Sequence, residues 1–261
     1  MTPDTGWMDQ LLIVALASAR FGSAFAFLPL FAPDTVPPMV RNSLILTLGG
    51  VAYWMTTGID PAALGIFAWA RLLLKEAVAG VVIGFFFGTL LWAMEAAGEI
   101  IDAKVGATIG QVLEPLGGNQ VSLNGALLAR LANVLFASVG GLMLLVATIL
   151  ESFAIWPMTA DWQSLDMRGL VLFEGEFGRL MTLAVVLAAP VIVFLYVVDA
   201  SLGLLNRFAQ QLNVFQLSMS IKAWAATALV LMLIPLFAQL LVGEIASRND
   251  VVRALIGALA R

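Results

Sequence analysis

Apolar residues in this chain fall in long runs, not in the short alternation of a half-buried strand or the single stripe of a soluble helix. Crossing a hydrocarbon layer takes about 20 apolar residues in a helix. Six runs approach that length: Leu11–Phe31, Leu44–Met55, Ala77–Met94, Leu127–Leu150, Leu180–Val198 and Ala223–Val242, the second being short. The pattern predicts an all-α membrane protein. Several runs carry charge within or beside them, at Arg20, Arg71, Lys75, Glu76, Glu95 and Arg130. A charge at mid-bilayer costs at least about 2.5–3.5 kcal/mol. Either these groups face protein, or the segments do not all cross lipid in the usual way.

The breakers divide the chain. Pro29, Pro33, Pro37 and Pro38 close the first element, and Asp60-Pro61 starts another, since Pro suits a first helical turn. Trp156-Pro157 opens a polar stretch that runs to about Gly178 and predicts the longest hydrophilic loop. Pro190 and Pro235 lie inside apolar runs and are expected to kink their helices, unless neighbours satisfy the freed carbonyls. Over 244–261, Val252, Leu255, Ile256 and Leu259 follow helical spacing with Arg248 and Arg253 off that face, predicting an amphipathic surface helix. Met1–Gln10 holds Asp4 and Asp9 and no Lys or Arg, so it is not read as a secretory signal. Basic residues spread over both sides of a six-span arrangement, which leaves orientation open. With no internal repeat, 1–261 reads as one domain.

Composition sharpens the picture. The chain has 261 residues, 61% hydrophobic and 11% charged, whereas a soluble domain carries about 25% charged residues. A net charge of −4 offers no footprint for nucleic acid. There is no Cys and no His. That excludes disulfides, thiolate chemistry, His-based triads and the commonest metal ligand. No catalytic residue, cofactor or metal is expected, and the chain is read as a non-enzyme.

Four constellations stand out. Gly80, Gly84 and Gly88 share one helical face, where another backbone can approach closely, from this chain or from another subunit. Glu95, Glu99 and Asp102 line one face if the helix continues past Met94; they suit acid/base work or cation binding, or simply a wet helix end. The stretch 106–122, with Gly106, Gly110, Glu114, Pro115, Gly117, Gly118 and Asn119, forbids a long regular helix and lacks the Gly-Lys-Ser/Thr of a phosphate loop. At membrane depth such backbone must line a cavity or be buried in protein. Finally, amides and hydroxyls alternate with apolar residues from Asn206 to Lys222, between the last two apolar runs.

At these last two segments the sequence resembles a known family. Asn206-Arg-Phe-Ala, Gln211-Leu-Asn-Val-Phe215, Met219 and Lys222 match the polar-turn pattern of the T subunit of the type III secretion export apparatus. This is the SctT family, whose flagellar counterpart is FliR. Gln210 and Ser220 stand where the family has prolines. Further matches follow in order: Ala19-Arg20, Leu28-Pro29-Leu-Phe31, Pro38-Met-Val-Arg41-Asn42, Lys75-Glu-Ala77, Gly98-Glu-Ile-Ile-Asp102, Glu114-Pro115 and Gly118-Asn-Gln120-Val-Ser122. Lys222 favours the injectisome branch.

The resemblance implies membrane-associated helical hairpins with kinked helices, forming part of a hetero-oligomeric helical cone in the bacterial inner membrane. Its partners would be R-, S- and U-type subunits and membrane lipid, and unfolded secreted proteins would pass through its centre. The resemblance implies that 106–122 is the plug closing the channel at rest. Asn206, Arg207, Gln211, Asn213, Phe215 and Lys222 would contact partners, and Gly80, Gly84 and Gly88 would form a packing seam. A second class stays open: a secondary transporter using Arg20, Glu95, Glu99, Asp102 and Arg130 as intramembrane charges with helices kinked at Pro190 and Pro235. An intramembrane aspartyl hydrolase would need a second acid facing Asp199, and none is identifiable.

Overall fold

The structure, a computed structural model, describes residues 6–33, 35–55, 64–106, 122–160, 168–208 and 214–259. The described residues are helical throughout apart from short turns and contain no strand. The helices are α1 (Trp7–Ala26), α2 (Pro38–Met55), α3 (Ile66–Val105), α4 (Leu123–Ser138), α5 (Gly141–Ile155), α6 (Arg168–Phe208) and α7 (Val214–Leu259). A short 3-10 turn, Pro29–Phe31, follows α1. The all-α reading holds.

Among the described residues, three helices are long and apolar enough to cross a membrane: Ile66–Val105, Phe173–Phe208 and Ser218–Ala246. The pair α4 and α5 adds a fourth span if the two are counted together, bent by 66° at their junction. Of the six apolar runs, then, not all form a spanning helix by themselves. Leu127–Leu150 is not one straight element, because Gly140 takes a left-handed φ of +88° and turns the chain. The bend therefore sits at a glycine, whereas Pro190 and Pro235 both lie within continuous helices.

Helix lengths also exceed the apolar runs. At 1.5 Å per residue, the 40 residues of α3 extend about 60 Å, twice the hydrocarbon thickness of about 30 Å. The polar stretch after Trp156 is not all loop, since α6 already begins at Arg168. Its first turns are held by side chains that a loop reading overlooks. Phe173 stacks on Phe85 with ring centres 4.0 Å apart, and the buried Glu176 accepts a hydrogen bond from Thr89. Residues 244–259 continue α7 without a break and do not start a separate helix.

The chain divides into two compact units. The first comprises residues 1–89, 139–176 and 245–261; the second comprises 90–138 and 177–244. In the first unit α1 packs on α2 and the N-terminal half of α3. Phe21, Phe25, Phe31 and Phe153 form an aromatic core around the end of α1. In the second unit α4, α6 and α7 surround the C-terminal half of α3. The most apolar window of α3 is 72% buried, against 28% for α6 and 22% for α7. So the most apolar window of α3 is interior, although Ile66 and Phe67 at its start are exposed, while α6 and α7 present apolar surface outward through Val186, Val193, Val197, Trp224 and Met232.

Candidate functional site

Within the first unit the charges that looked misplaced in apolar runs find one another. Arg20 on α1 and Glu76 on α3 pair at 2.7 Å, both fully buried. Arg20 also donates to Ser152 Oγ at 2.7 Å and to the Trp156 carbonyl at 3.1 Å, with its guanidinium 3.9 Å from the Phe153 ring centre. Neighbouring Lys75 donates to three backbone carbonyls past the end of α5: Pro157 at 2.7 Å, Met158 at 2.6 Å and Ala160 at 3.1 Å. A buried charge is tolerable only when paired and hydrogen-bonded. Here two cations and one carboxylate tie α1, α3 and the turn after α5 into one network.

The approach of α1 to α3 that permits this pairing depends on glycine. A Cβ at Gly80 would collide with the Arg20 carbonyl oxygen, and one at Gly84 with the Ala24 carbonyl oxygen. Gly88 is buried one turn further on. The neighbour met by Gly80 and Gly84 is thus a helix of the same chain.

Within the second unit the last turns of α3 are the centre of polar contact. Asp102 is buried and accepts hydrogen bonds from Ser122 Oγ at 2.6 Å and from the Asn124 backbone N–H at 2.9 Å, as well as from the Asn124 side-chain amide. Ser122 caps α4: its carbonyl accepts the Ala126 N–H at 2.8 Å and its hydroxyl the Gly125 N–H at 2.9 Å. Two residues beyond Asp102, Lys104 binds Asp199 of α6 at 2.8 Å and lies 3.8 Å from the Tyr196 ring centre. The same Asp199 lies 3.1 Å from Lys222 near the start of α7. One carboxylate therefore joins three helices. Arg179 and Glu244 form a further pair between α6 and α7.

The predicted residues divide accordingly. Of the 106–122 segment, Gly106 and Ser122 are described, Gly106 ending α3 with φ +94°. Gly110, Glu114, Pro115, Gly117, Gly118 and Asn119 lie outside the described residues, as do Gln211 and Asn213. Phe215 falls on the first turn of α7. Asn206 and Arg207 are exposed at the end of α6, while Lys222 is engaged by Asp199. The three carboxylates on α3 do not act together: Asp102 turns inward to α4, Glu95 is half-buried and Glu99 is exposed. Among the described residues no three Asp or Glu side chains gather as metal ligands would. Within the first unit Arg20 is locked to Glu76, and in the second Arg130 is exposed.

The sequence reading missed the Lys104–Asp199 pair, the Thr89–Glu176 contact and the carbonyl ligands of Lys75. Ser122 ahead of an apolar run was a readable cap signal for α4. The other partners are 82 to 95 residues apart in the chain and carry no local signature.

These features define a multi-pass, all-helical membrane protein whose buried charges tie its helices together. The chain belongs to the bacterial export proteins, family 1, whose model matches residues 11–247. It is 30% identical over 221 residues to the Yop proteins translocation protein T of Yersinia pestis, covering 84% of this chain and 85% of that protein. It is 32% identical over 219 residues to the surface presentation of antigens protein SpaR of Salmonella typhimurium, covering 84% and 81%. Flagellar biosynthetic protein FliR of Bacillus subtilis is 28% identical over 217 residues, covering 82% and 83%. The family resemblance drawn from the motifs is borne out along nearly the whole chain.

Proposed function

We propose that this protein is a structural and gating subunit of the inner-membrane export gate of a type III protein secretion system, forming part of the channel for unfolded secreted proteins. The observation that carries the reading is the match to bacterial export proteins over residues 11–247, with relatives named for Yop translocation, surface presentation of antigens and flagellar biosynthesis. The protein works without chemistry of its own: it binds no cofactor, and the energy of translocation comes from other components. It assembles with R-, S- and U-type subunits and with lipid. The outward apolar faces of α6 and α7 suit both. Exposed Asn206 and Arg207 at the end of α6 contact a partner subunit, together with Gln211, Asn213, Phe215 and Lys222. The Gly80–Gly84–Gly88 face is the seam that seats α1 on α3.

In this reading the segment 106–122 is the plug that closes the channel at rest. Two experiments test it. Tagged protein expressed with R-, S- and U-type subunits should copurify with them, and a stable, self-sufficient protein that ignores them would overturn the assignment. Deleting residues 107–118 in the complete gate should raise ion leakage across the membrane. Unchanged conductance would remove the plug role while leaving the subunit assignment standing.

A further inference from the structure

We propose that the outward face of α6 and α7 is seated in lipid over one fixed depth, bounded by the Lys104–Asp199–Lys222 cluster at one end and the Arg179–Glu244 pair at the other. This deepens the reading above, in which that face meets lipid or sister subunits, and it rests on the membrane assignment made there. Helix length does not set the depth. The apolar segments Phe173–Phe208 and Ser218–Ala246 hold 36 and 29 residues, against about 20 needed to cross the hydrocarbon. By length alone each can take more than one register.

The ion pairs remove that freedom. Twenty residues of continuous helix separate Arg179 from Asp199 on α6, and 22 separate Lys222 from Glu244 on α7. At 1.5 Å per residue the two levels lie about 30 Å apart on α6 and about 33 Å apart on α7, matching a hydrocarbon thickness of about 30 Å. No Asp, Glu, Lys or Arg falls between them on either helix. Sliding the pair of helices by two turns in either direction would carry partly exposed charges into lipid.

The side chains between the levels identify the occupant. Val186, Val193 and Val197 of α6 and Met232, Leu236 and Leu240 of α7 are all exposed. Helices that pack on other helices in a membrane favour Gly, Ala and Ser at the contact, so these bulky apolar positions point to lipid. The lysine end has the chemistry of a headgroup level. Two lysines share one carboxylate there, which leaves a net positive charge to face lipid phosphate. Tyr196, against Lys104, and Trp224, two residues after Lys222, are exposed at the same level. Both ring types collect at membrane–water boundaries.

The chain contains no cysteine, so a single introduced thiol reports its own position. The test uses the complete export complex in phosphatidylcholine vesicles, with the partner subunits made cysteine-free and copurification as the control for assembly. Val186→Cys and Val193→Cys should resist a membrane-impermeant maleimide. A fluorophore attached at either through a permeant maleimide should lose most of its emission when the lipid is brominated along its acyl chains. At Val197→Cys, near the lysine level, a spin label in the headgroup region should quench better than bromines deep in the chains. Gly175 and Gly203 lie four residues beyond the two levels, each with open space for a side chain. Gly175→Cys and Gly203→Cys should escape quenching by chain bromines.

Reaction of Val186→Cys or Val193→Cys with the impermeant reagent puts water on that face and overturns the proposal. Protection without lipid quenching means that a sister chain covers the face, and overturns it too. Chain-bromine quenching at Gly175→Cys or Gly203→Cys places hydrocarbon beyond the ion pairs and likewise overturns it. Should the α6 variants fail to assemble, Met232→Cys and Leu240→Cys on α7 take the place of the two valines, with the same readings. If the wild-type chain does not copurify with R-, S- and U-type subunits, the subunit assignment falls. The same labels on the chain alone in vesicles then decide the lipid levels.

Discussion

Arg20 and Glu76 meet at 2.7 Å across the α1–α3 contact, and neither side chain reaches solvent. Removing one partner of a buried pair leaves the other uncompensated, which costs about 3–5 kcal/mol. Glu76→Ala is therefore expected to lower the melting temperature and steady-state level of the complex sharply. Replacing both members by apolar side chains of similar volume should recover most of that loss. Thermal melting of the purified complex, in a double-mutant cycle, checks the difference.

The close approach of α1 predicts opposite outcomes at two helical glycines. Gly80→Ala drives a Cβ into the Arg20 carbonyl oxygen and should cost about 1–3 kcal/mol as overpacking. A Cβ at Gly203 meets nothing within 4 Å, and Ala there should stabilise by about 0.5–1 kcal/mol through helix propensity. Melting of the two variants decides it. A loss at Gly203 would mean that a partner helix lies against that face in the complex.

Asp199 serves two lysines, and the three side chains are 13–32% exposed. Single pairs of this kind are worth up to about 1 kcal/mol. Lys104→Gln and Lys222→Gln should each have small effects, since Asp199 keeps its other partner. Asp199→Asn weakens both contacts at once and should exceed either lysine variant. All three effects should shrink in high salt. Melting temperatures measured across a salt series give the ranking.

Gly140 turns α4 into α5 with φ +88° and has open space where a Cβ would go. The cost of substitution there is backbone strain, with no steric part. Gly140→Ala should destabilise by about 1–2 kcal/mol, and Gly140→Asn by less, since Asn tolerates the left-handed region. The expected order of melting temperature is Gly, then Asn, then Ala. A reversed order would mean that the junction straightens in the assembled protein.

The apolar runs made the all-α membrane class legible, because long uninterrupted runs satisfy their backbone in lipid as helices, whereas the strands of a barrel would alternate. The motifs around Gly98–Asp102 and Asn206–Lys222 made the family legible. Helix length was not. The start of α6 is polar in sequence and is held as helix by Phe173 against Phe85 and Glu176 against Thr89. These are tertiary contacts that no local window contains. The same holds for charge. Arg20, Lys75 and Glu76 each looked costly alone, and only the packing of α1 on the glycine face of α3 brings them together. Asp102 was visible as part of a carboxylate face, but its orientation toward α4 follows from the capping geometry at Ser122, twenty residues away.

Lys75 turns the carbonyls of Pro157, Met158 and Ala160 inward onto a single ammonium. Peptide oxygens outside a helix ordinarily demand a hydration shell, which confines connecting turns to the wet faces of a membrane protein. At this corner one lysine stands in for that shell. These three carbonyls accordingly need no water of their own, and a chain closing over that side of the turn would meet oxygens already satisfied, as on a helix flank.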